Sequence, residues 1–252
     1  MRDRIPADAC EPVAVGIDSL YLSVFIDGLG IDWEQLAHQK ERLRHSPGSD
    51  FAEIEFGGER FALHRGGRKP YSFVLSNRAF TLSLGERIQP RCYVQFHSGL
   101  LWRKRLDGAL NRFHSILANI GGHETRPAIV SRVDAAFDFA IGEPGYRVEH
   151  FVSEARKDAT WREHQTPQSF QFGKDEVVCR VYDKVAEIEQ QSGKDWLFDL
   201  WGTREGIWRC EFQIRGERLK DAGISTVAQL RAYLPGLVRH LAKHHTSLRV
   251  PR

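Results

Sequence analysis

Charged and phenolic side chains alternate along three short segments of this chain in the pattern of β-strands. In RVDAAFDFA, CRVYDKVAE and RCEFQIRGE they are Arg132, Asp134 and Asp138, then Arg180, Tyr182 and Lys184, then Arg209, Glu211 and Arg215. Because a strand repeats every two residues, these side chains share a face, and we expect it to point outward toward water or a ligand. If the three strands are neighbours, carboxylates, a tyrosine and cations converge in an arrangement suited to phosphodiester chemistry.

Tyr182 is the candidate nucleophile of this face. A phenol that attacks phosphorus forms a covalent phosphotyrosine and so conserves the energy of the broken bond. Arg180 and Lys184 lie two residues to either side. Nearby cations lower a phenol pKa from its usual value of about 10 and neutralise developing phosphate charge. The alternative is an exposed strand tyrosine that stacks on an arginine.

Three acidic residues of the same face are candidate ligands for Mg²⁺ or Mn²⁺, which prefer oxygen donors and can polarise a phosphoryl oxygen. They are Asp134, Asp138 and Glu211. Asp134 and Asp138 are four residues apart on a strand, which separates them by roughly 13 Å at full extension. Both can bind one ion only if the strand bends or a water molecule intervenes. We therefore favour Asp134 with Glu211, and Asp138 as a third ligand.

Glu187 lies three residues after Lys184, on a helix predicted to begin where the strand ends. It can point back toward Tyr182 as a metal ligand or general base. Two alternatives remain open. The acidic residues of the strands can instead form cross-strand ion pairs with Arg132, Arg180 and Arg209, and Glu187 can be a first-turn glutamate favoured by the helix dipole.

The charge of the chain is unevenly distributed, although the formal net charge is only +3. Arg60 to Arg105 holds 10 Lys/Arg against one acid, and Arg231 to Arg252 holds 5 and none. Such stretches can bind nucleic acid through phosphate neutralisation, or can form a solvated basic surface. The predicted DNA contacts are Arg132, Arg209, Arg215, Arg68, Lys69, Arg103, Lys104 and Arg105. Aromatic residues interleaved with the basic stretch could also stack bases.

The hydrophobic pattern predicts an α+β fold. With 252 residues and 41% hydrophobic content, the chain can form one domain or two small ones. Hairpins are predicted between residues 51 and 97, and helices at 32–44, 106–120, 146–157 and 185–191. Pro235 should break or kink a helix over 225–243. We expect a mainly antiparallel sheet with one charged face, helices on the other side, and an internal duplication. No apolar stretch is long enough to span a membrane, so the expected location is the cytoplasm.

Four segments together resemble the replication initiation factor family, the Rep_trans-type rolling-circle replication initiators and relaxases. They are GIDSLYLSVF, SRVDAAFDF, VCRVYDKVAEIEQQSGK and WRCEFQIRGERLKDAGI. The order R-x-D-x-x-x-D, Y-D-K-x-x-E and R-x-E-x-Q-x-R carries the resemblance. It runs over about residues 14 to 243, which would form one DNA-nicking domain, with residues 1–13 and 244–252 as flexible termini.

The resemblance implies an enzyme that nicks one DNA strand at an origin and stays attached through tyrosine to the 5′-phosphate. Tyr182 would be the nucleophile, and Asp134, Glu187 and Glu211 the acidic set that holds Mg²⁺ or Mn²⁺. Single-stranded or hairpin origin DNA from a plasmid, phage or integrative element would be the substrate, with a host helicase and a second copy of the chain as further partners. Rival functions are a catalytically silent DNA-binding module and a metal nuclease that uses water. Nicking by Tyr182 requires that Tyr182 and Glu211 lie within about 10 Å on one side of the sheet.

Overall fold

The computed structural model describes residues 11–46, 48–142, 145–163 and 166–248. Its contacts divide the chain into two compact units. We call Ile17–Val133 with Ile224–Leu230 the basic unit. The tyrosine unit comprises the segment that ends at Gly16, Asp134–Gly223, and the segment that starts at Arg231. Strands β1 (Ala14–Asp27) and β7 (His123–Ala140) and helix α6 (Val227–His244) contribute residues to both units.

The basic unit is built from antiparallel hairpins and two helical segments. Its elements are β1 (Ala14–Asp27), α1 (Trp33–Arg44), β2 (Phe51–Phe56), β3 (Glu59–His64), β4 (Phe73–Ser76), β5 (Phe80–Leu84), β6 (Cys92–Phe96), α2 (Ser98–Asn119) and the first part of β7 (His123–Ala140). The strand order is β2-β3-β4-β5-β6-β1-β7. Asp32 caps α1 as predicted, because its side chain accepts a hydrogen bond from the Gln35 amide at 2.8 Å. Helix α2 is interrupted at Arg105, where φ is +56°.

The tyrosine unit contains the three strands singled out in the sequence. Its elements are the second part of β7, β8 (Phe151–Ser153), β9 (Asp158–Glu163), β10 (Thr166–Phe172), β11 (Val177–Asp183), α3 (Lys184–Glu187), α4 (Trp196–Trp201), β12 (Ile207–Arg215), α5 (Gly216–Asp221), most of α6 (Val227–His244) and β13 (Thr246–Leu248). The order β7-β12-β11-β10-β9 confirms that the three strands are neighbours. A mixed α+β fold with a mainly antiparallel sheet is therefore confirmed.

The helix predicted over 146–157 is wrong. The chain forms a short 3₁₀ turn at Val148–His150, then strand β8, and enters β9 at Asp158. Phe151 lies 5.0 Å from Phe170 and 5.1 Å from Phe172, measured between ring centroids. Packing of this half-buried aromatic side chain against β10 therefore favours the extended structure observed here.

Two further features of the tail bear on the sequence analysis. Helix α6 continues through Pro235 to His244, so no break occurs there. Thr246–Leu248, predicted as part of a flexible terminus, pair with β8 as strand β13. The predictions for residues 1–10 and 249–252 lie outside the described residues. No helix among the described residues is long and apolar enough to cross a membrane.

Candidate active site

The register between β11 and β12 places the predicted site residues side by side. Tyr182 pairs with Arg209, and Arg180 pairs with Glu211. On the other side of β11, Gln171 of β10 pairs with Arg180. Because alternate residues of a strand share a face, Arg180 and Tyr182 lie on the face opposite to Cys179 and Val181.

The phenol of Tyr182 is hydrogen-bonded to a carboxylate. Tyr182 Oη donates to Glu211 Oε2 at 3.2 Å, and Arg180 Nη1 donates to Glu211 Oε1 at 3.3 Å. Arg180 Nε donates to Gln171 Oε1 at 3.1 Å, which orients the guanidinium. The requirement that Tyr182 and Glu211 lie within about 10 Å on one side of the sheet is therefore confirmed.

Lys184 lies beside the tyrosine ring, and its ammonium group is buried. Its Nζ is 5.5 Å from the centroid of the Tyr182 ring and donates to Glu187, which also accepts a hydrogen bond from Ser192. Burial lowers the pKa of Lys184 below 10.5, and the positive charges of Arg209 and Lys194 lower it further. Glu187 therefore points back toward the Tyr182 region as predicted.

The charged face is not open to water along its whole length, which corrects the prediction. Asp134, Asp138 and Arg209 are buried, and Glu211 is 7% exposed. Arg209 binds Asp138 through two hydrogen bonds of 2.6 and 2.9 Å, and the Trp201 indole donates to Asp138 Oδ2 at 2.9 Å. Helix α4, which the sequence analysis did not predict, supplies that indole from a hydrophobic cluster with Leu197 and Phe198.

This burial corrects two residue assignments. Arg209 cannot contact DNA, because it is 0% exposed and its guanidinium is engaged by Asp138. Asp138 is likewise unsuited to hold a metal ion, since both of its oxygens accept hydrogen bonds from protein groups. Ion pairs of the kind that the alternative expected are present between Asp138 and Arg209 and between Glu211 and Arg180.

The described residues do not fit the metal site that the resemblance implies. Within residues 11–46, 48–142, 145–163 and 166–248, no group of three or more His, Cys, Asp or Glu side chains is placed to hold a metal ion. Glu211 is bound by Arg180 and Tyr182, and Glu187 by Lys184. A cation at these carboxylates would have to displace the side chains that now neutralise them. The use of Mg²⁺ or Mn²⁺ therefore stays a prediction.

The remaining predicted DNA contacts lie at the surface or close to it. Arg132 is half-buried, with its guanidinium carbon 4.9 Å from the centroid of the Tyr21 ring. Arg68 stacks on Tyr93, with its guanidinium carbon 4.4 Å from the centroid of the ring. The exposed members are Arg68, Lys69, Arg103, Lys104, Arg105 and Arg215. Their roles in DNA binding stay predictions.

Two residues that contact the site were missed by the sequence analysis. Gln171 could have been found from the alternation of Ser169 and Gln171 with Phe170 and Phe172 in the SFQF segment. Trp201 belongs to the run WLFDLW, which is helical and apolar on one side. A run of this kind between two strands signals a helix that covers part of the sheet.

Comparisons with known proteins leave the family open. No protein-family profile matches the sequence, and no characterised protein matches it. Among solved structures, a rolling circle replication initiator protein from Geobacillus stearothermophilus is similar over 94% of this chain and 87% of its own, with a TM-score of 0.49 and 14% identity. A similarity at this level decides neither family nor activity.

Proposed function

We propose that the protein is a DNA-nicking and strand-joining enzyme with Tyr182 as its nucleophile. The observation that carries this proposal is the hydrogen bond of 3.2 Å from the Tyr182 phenol to Glu211, whose other oxygen binds Arg180. A phenol needs a proton acceptor to become a good nucleophile, and a carboxylate within hydrogen-bonding distance meets this geometric condition. The sequence resemblance to rolling-circle initiators and relaxases supports the same function.

The proposed step forms one phosphorus–oxygen bond and breaks another. The Tyr182 oxygen attacks the phosphorus of a DNA phosphodiester while its proton passes to Glu211. The bond between phosphorus and the 3′-oxygen breaks, and that oxygen takes up a proton from solvent water and leaves as a hydroxyl. The product is a 5′-phosphotyrosyl bond, and attack by the free 3′-hydroxyl reverses the reaction and joins strands.

The cations near Tyr182 have different parts in this step. Arg180 lies on the exposed side, with 34% of its side chain accessible, so it can approach a phosphate oxygen as negative charge develops. Lys184 is buried beside the ring and bound to Glu187, so it acts on Tyr182 through its field and by holding the ring. The sequence analysis gave both cations the neutralisation of developing phosphate charge, and we assign direct contact with the phosphate to Arg180 alone.

A silent DNA-binding module is the second candidate function. It is favoured by one observation, which is that Glu211 and Glu187 are both already neutralised by cations. Such pairing is also what a purely structural network shows. Single-stranded or hairpin DNA is the proposed ligand in both cases, and the two functions differ only in whether a covalent bond forms.

The experiment is a search for the covalent adduct. A library of hairpin and single-stranded oligonucleotides labelled at the 3′-end is incubated with the full chain and Mn²⁺, or with EDTA in a parallel arm, and resolved on a denaturing gel. The label should migrate with the protein, because the 5′-phosphate of the downstream fragment becomes attached to Tyr182. Tyr182→Phe should remove the labelled band, whereas Tyr233→Phe, at a tyrosine that is 53% exposed on α6, should retain it.

Each rival gives a distinct result. A nuclease that uses water would still cut with Tyr182→Phe and would label no protein. A silent module would bind the oligonucleotides, as measured by fluorescence anisotropy, but would neither cut them nor become labelled. Either result with folded protein overturns the proposed nucleophile.

A further inference from the structure

A basic pocket lies on the basic unit, where no residue of the candidate active site contributes to it. Its volume is about 550 Å³, which is within the size range of ligand sites in proteins. Five of its ten lining residues are cations, from the β2–β3 and β4–β5 hairpins and from helix α2. They are Arg60, Arg78, Arg103, Lys104 and Arg112.

The pocket carries more positive than negative charge. Its one acidic residue is Glu59, and both Glu59 oxygens already accept hydrogen bonds from Arg112, at 2.6 and 2.8 Å. Asn77 also donates to Glu59, at 3.0 Å. Among the described residues, Arg60, Arg78 and Lys104 take part in no ion pair, and all three are exposed. The pocket therefore concentrates positive charge that an anionic ligand would neutralise.

We propose that this pocket binds the phosphate groups of a DNA strand. The proposal rests on the proposed function only for its substrate class. Arginine and lysine side chains are suited to phosphodiester oxygens, and each phosphate that they neutralise releases condensed counterions. The cavity is large enough for more than one phosphate, so it can hold a length of backbone.

The pocket is suited to contact the phosphate backbone of a strand and not its bases. Its uncharged lining residues are Asn77, Ala79, Gly99 and Leu100, so none of the described residues that line it offers an aromatic surface for base stacking. Contacts to phosphate fix the position of a strand but carry no sequence information. The pocket should therefore contribute equally to the binding of unrelated sequences.

The test measures DNA binding by fluorescence anisotropy in the Tyr182→Phe background, where no adduct forms. The probes are two fluorescein-labelled single strands of unrelated sequence. Arg78→Glu with Lys104→Glu should weaken binding of both strands about tenfold or more. The slope of log K against log salt should become shallower by about 1.4, the expectation for two lost phosphate contacts. Glu59→Gln, which removes the one acid, should instead tighten binding a few-fold.

The control is a charge-matched double variant outside the pocket. Arg42→Glu with Arg87→Glu changes the net charge by the same amount at two exposed positions of the basic unit. It should lower affinity much less than the pocket variant. Circular dichroism and urea unfolding should show that all the variants are folded.

Three results would overturn the proposal: equal losses in the pocket and control variants, an unchanged salt slope, or a loss confined to one sequence. Displacement of both strands by dATP at matched phosphate concentration would assign the pocket to free nucleotides instead of a strand. Absence of the phosphotyrosyl adduct would refute the nicking function while leaving these binding results unchanged, so the two failures are distinguishable.

Discussion

The phenolic oxygen of Tyr182 lies 3.2 Å from Glu211 Oε2, across two neighbouring antiparallel strands. Glu211 is 7% exposed, and its other oxygen is bound by Arg180. The carboxylate is therefore held in place by the guanidinium, with one oxygen directed at the phenol. This arrangement allows Glu211 to accept the phenol proton in the proposed reaction.

Glu211→Gln should slow adduct formation by about 10²–10⁴-fold, the usual contribution of a general base. The amide cannot take up the phenol proton, although it keeps the size of the side chain. Affinity for DNA should change little, because Glu211 is proposed to act on Tyr182 and not on the bound strand. The measurement is single-turnover labelling of the protein with a 3′-labelled oligonucleotide.

The control for this experiment is Glu217→Gln, on helix α5, whose side chain is 72% exposed. It should leave the rate unchanged. A Glu211→Gln variant that forms the adduct at the wild-type rate would show that another group accepts the proton.

Breaking the buried pair of Asp138 and Arg209 should destabilise the fold strongly. Asp138→Ala should lower the free energy of unfolding by about 3–5 kcal/mol, because it leaves the buried guanidinium without a counter-charge. Asp138→Leu with Arg209→Met should be much less destabilising, since neither charge then remains. Urea unfolding monitored by circular dichroism measures both effects.

The exposed pair of Glu217 and Lys220 is the matched comparison, with side chains 72% and 60% exposed. Its removal should cost less than about 1 kcal/mol. A similar cost for both pairs would argue that Asp138 and Arg209 are hydrated in solution.

The lowered pKa of Lys184 predicts a specific dependence of stability on pH. Because the unfolded chain keeps the ordinary pKa of 10.5, it binds more protons than the folded protein between the lowered value and 10.5. Stability contributed by this position should therefore rise with pH through that window. The free energy of unfolding of the wild type minus that of Lys184→Met should increase toward pH 10.5.

Lys220→Met, at an exposed position, serves as the reference and should show no such rise. If the difference in the free energy of unfolding between the wild type and Lys184→Met stays constant or falls as the pH rises, the burial of a charged Lys184 is contradicted.

Divalent metal ions should bind the protein weakly when DNA is absent. The carboxylates of Glu211 and Glu187 are already neutralised by Arg180 and Lys184. A metal ion at about 1 mM should therefore stabilise the fold by less than about 1 kcal/mol through mass action. Isothermal titration with Mg²⁺ and Mn²⁺, together with thermal unfolding, measures this, and micromolar binding that is lost in Glu211→Gln would show that the site rearranges around a metal ion.

Much of the sheet could be predicted from alternation alone. Strand β12 occurs at Ile207–Arg215, as expected, and Asp32 caps α1, because both depend on local periodicity and local hydrogen bonds. The segment over 146–157 could not be predicted in this way. Its helix-like spacing of apolar residues is overridden by the packing of Phe151 on β10, which is a contact between residues distant in sequence.

The sequence by itself determined which residues share a strand face, since side-chain direction follows from a period of two. That was sufficient to place Arg180, Tyr182 and Glu211 together once β11 and β12 were neighbours. Only the tertiary structure decided which part of this face is covered. The indole of Trp201 and the side chain of Arg209 cover Asp138. Because a buried charge must be paired, the Asp138 carboxylate forms a tight ion pair with Arg209, whereas on an open sheet it would be accessible to solvent or a metal ion.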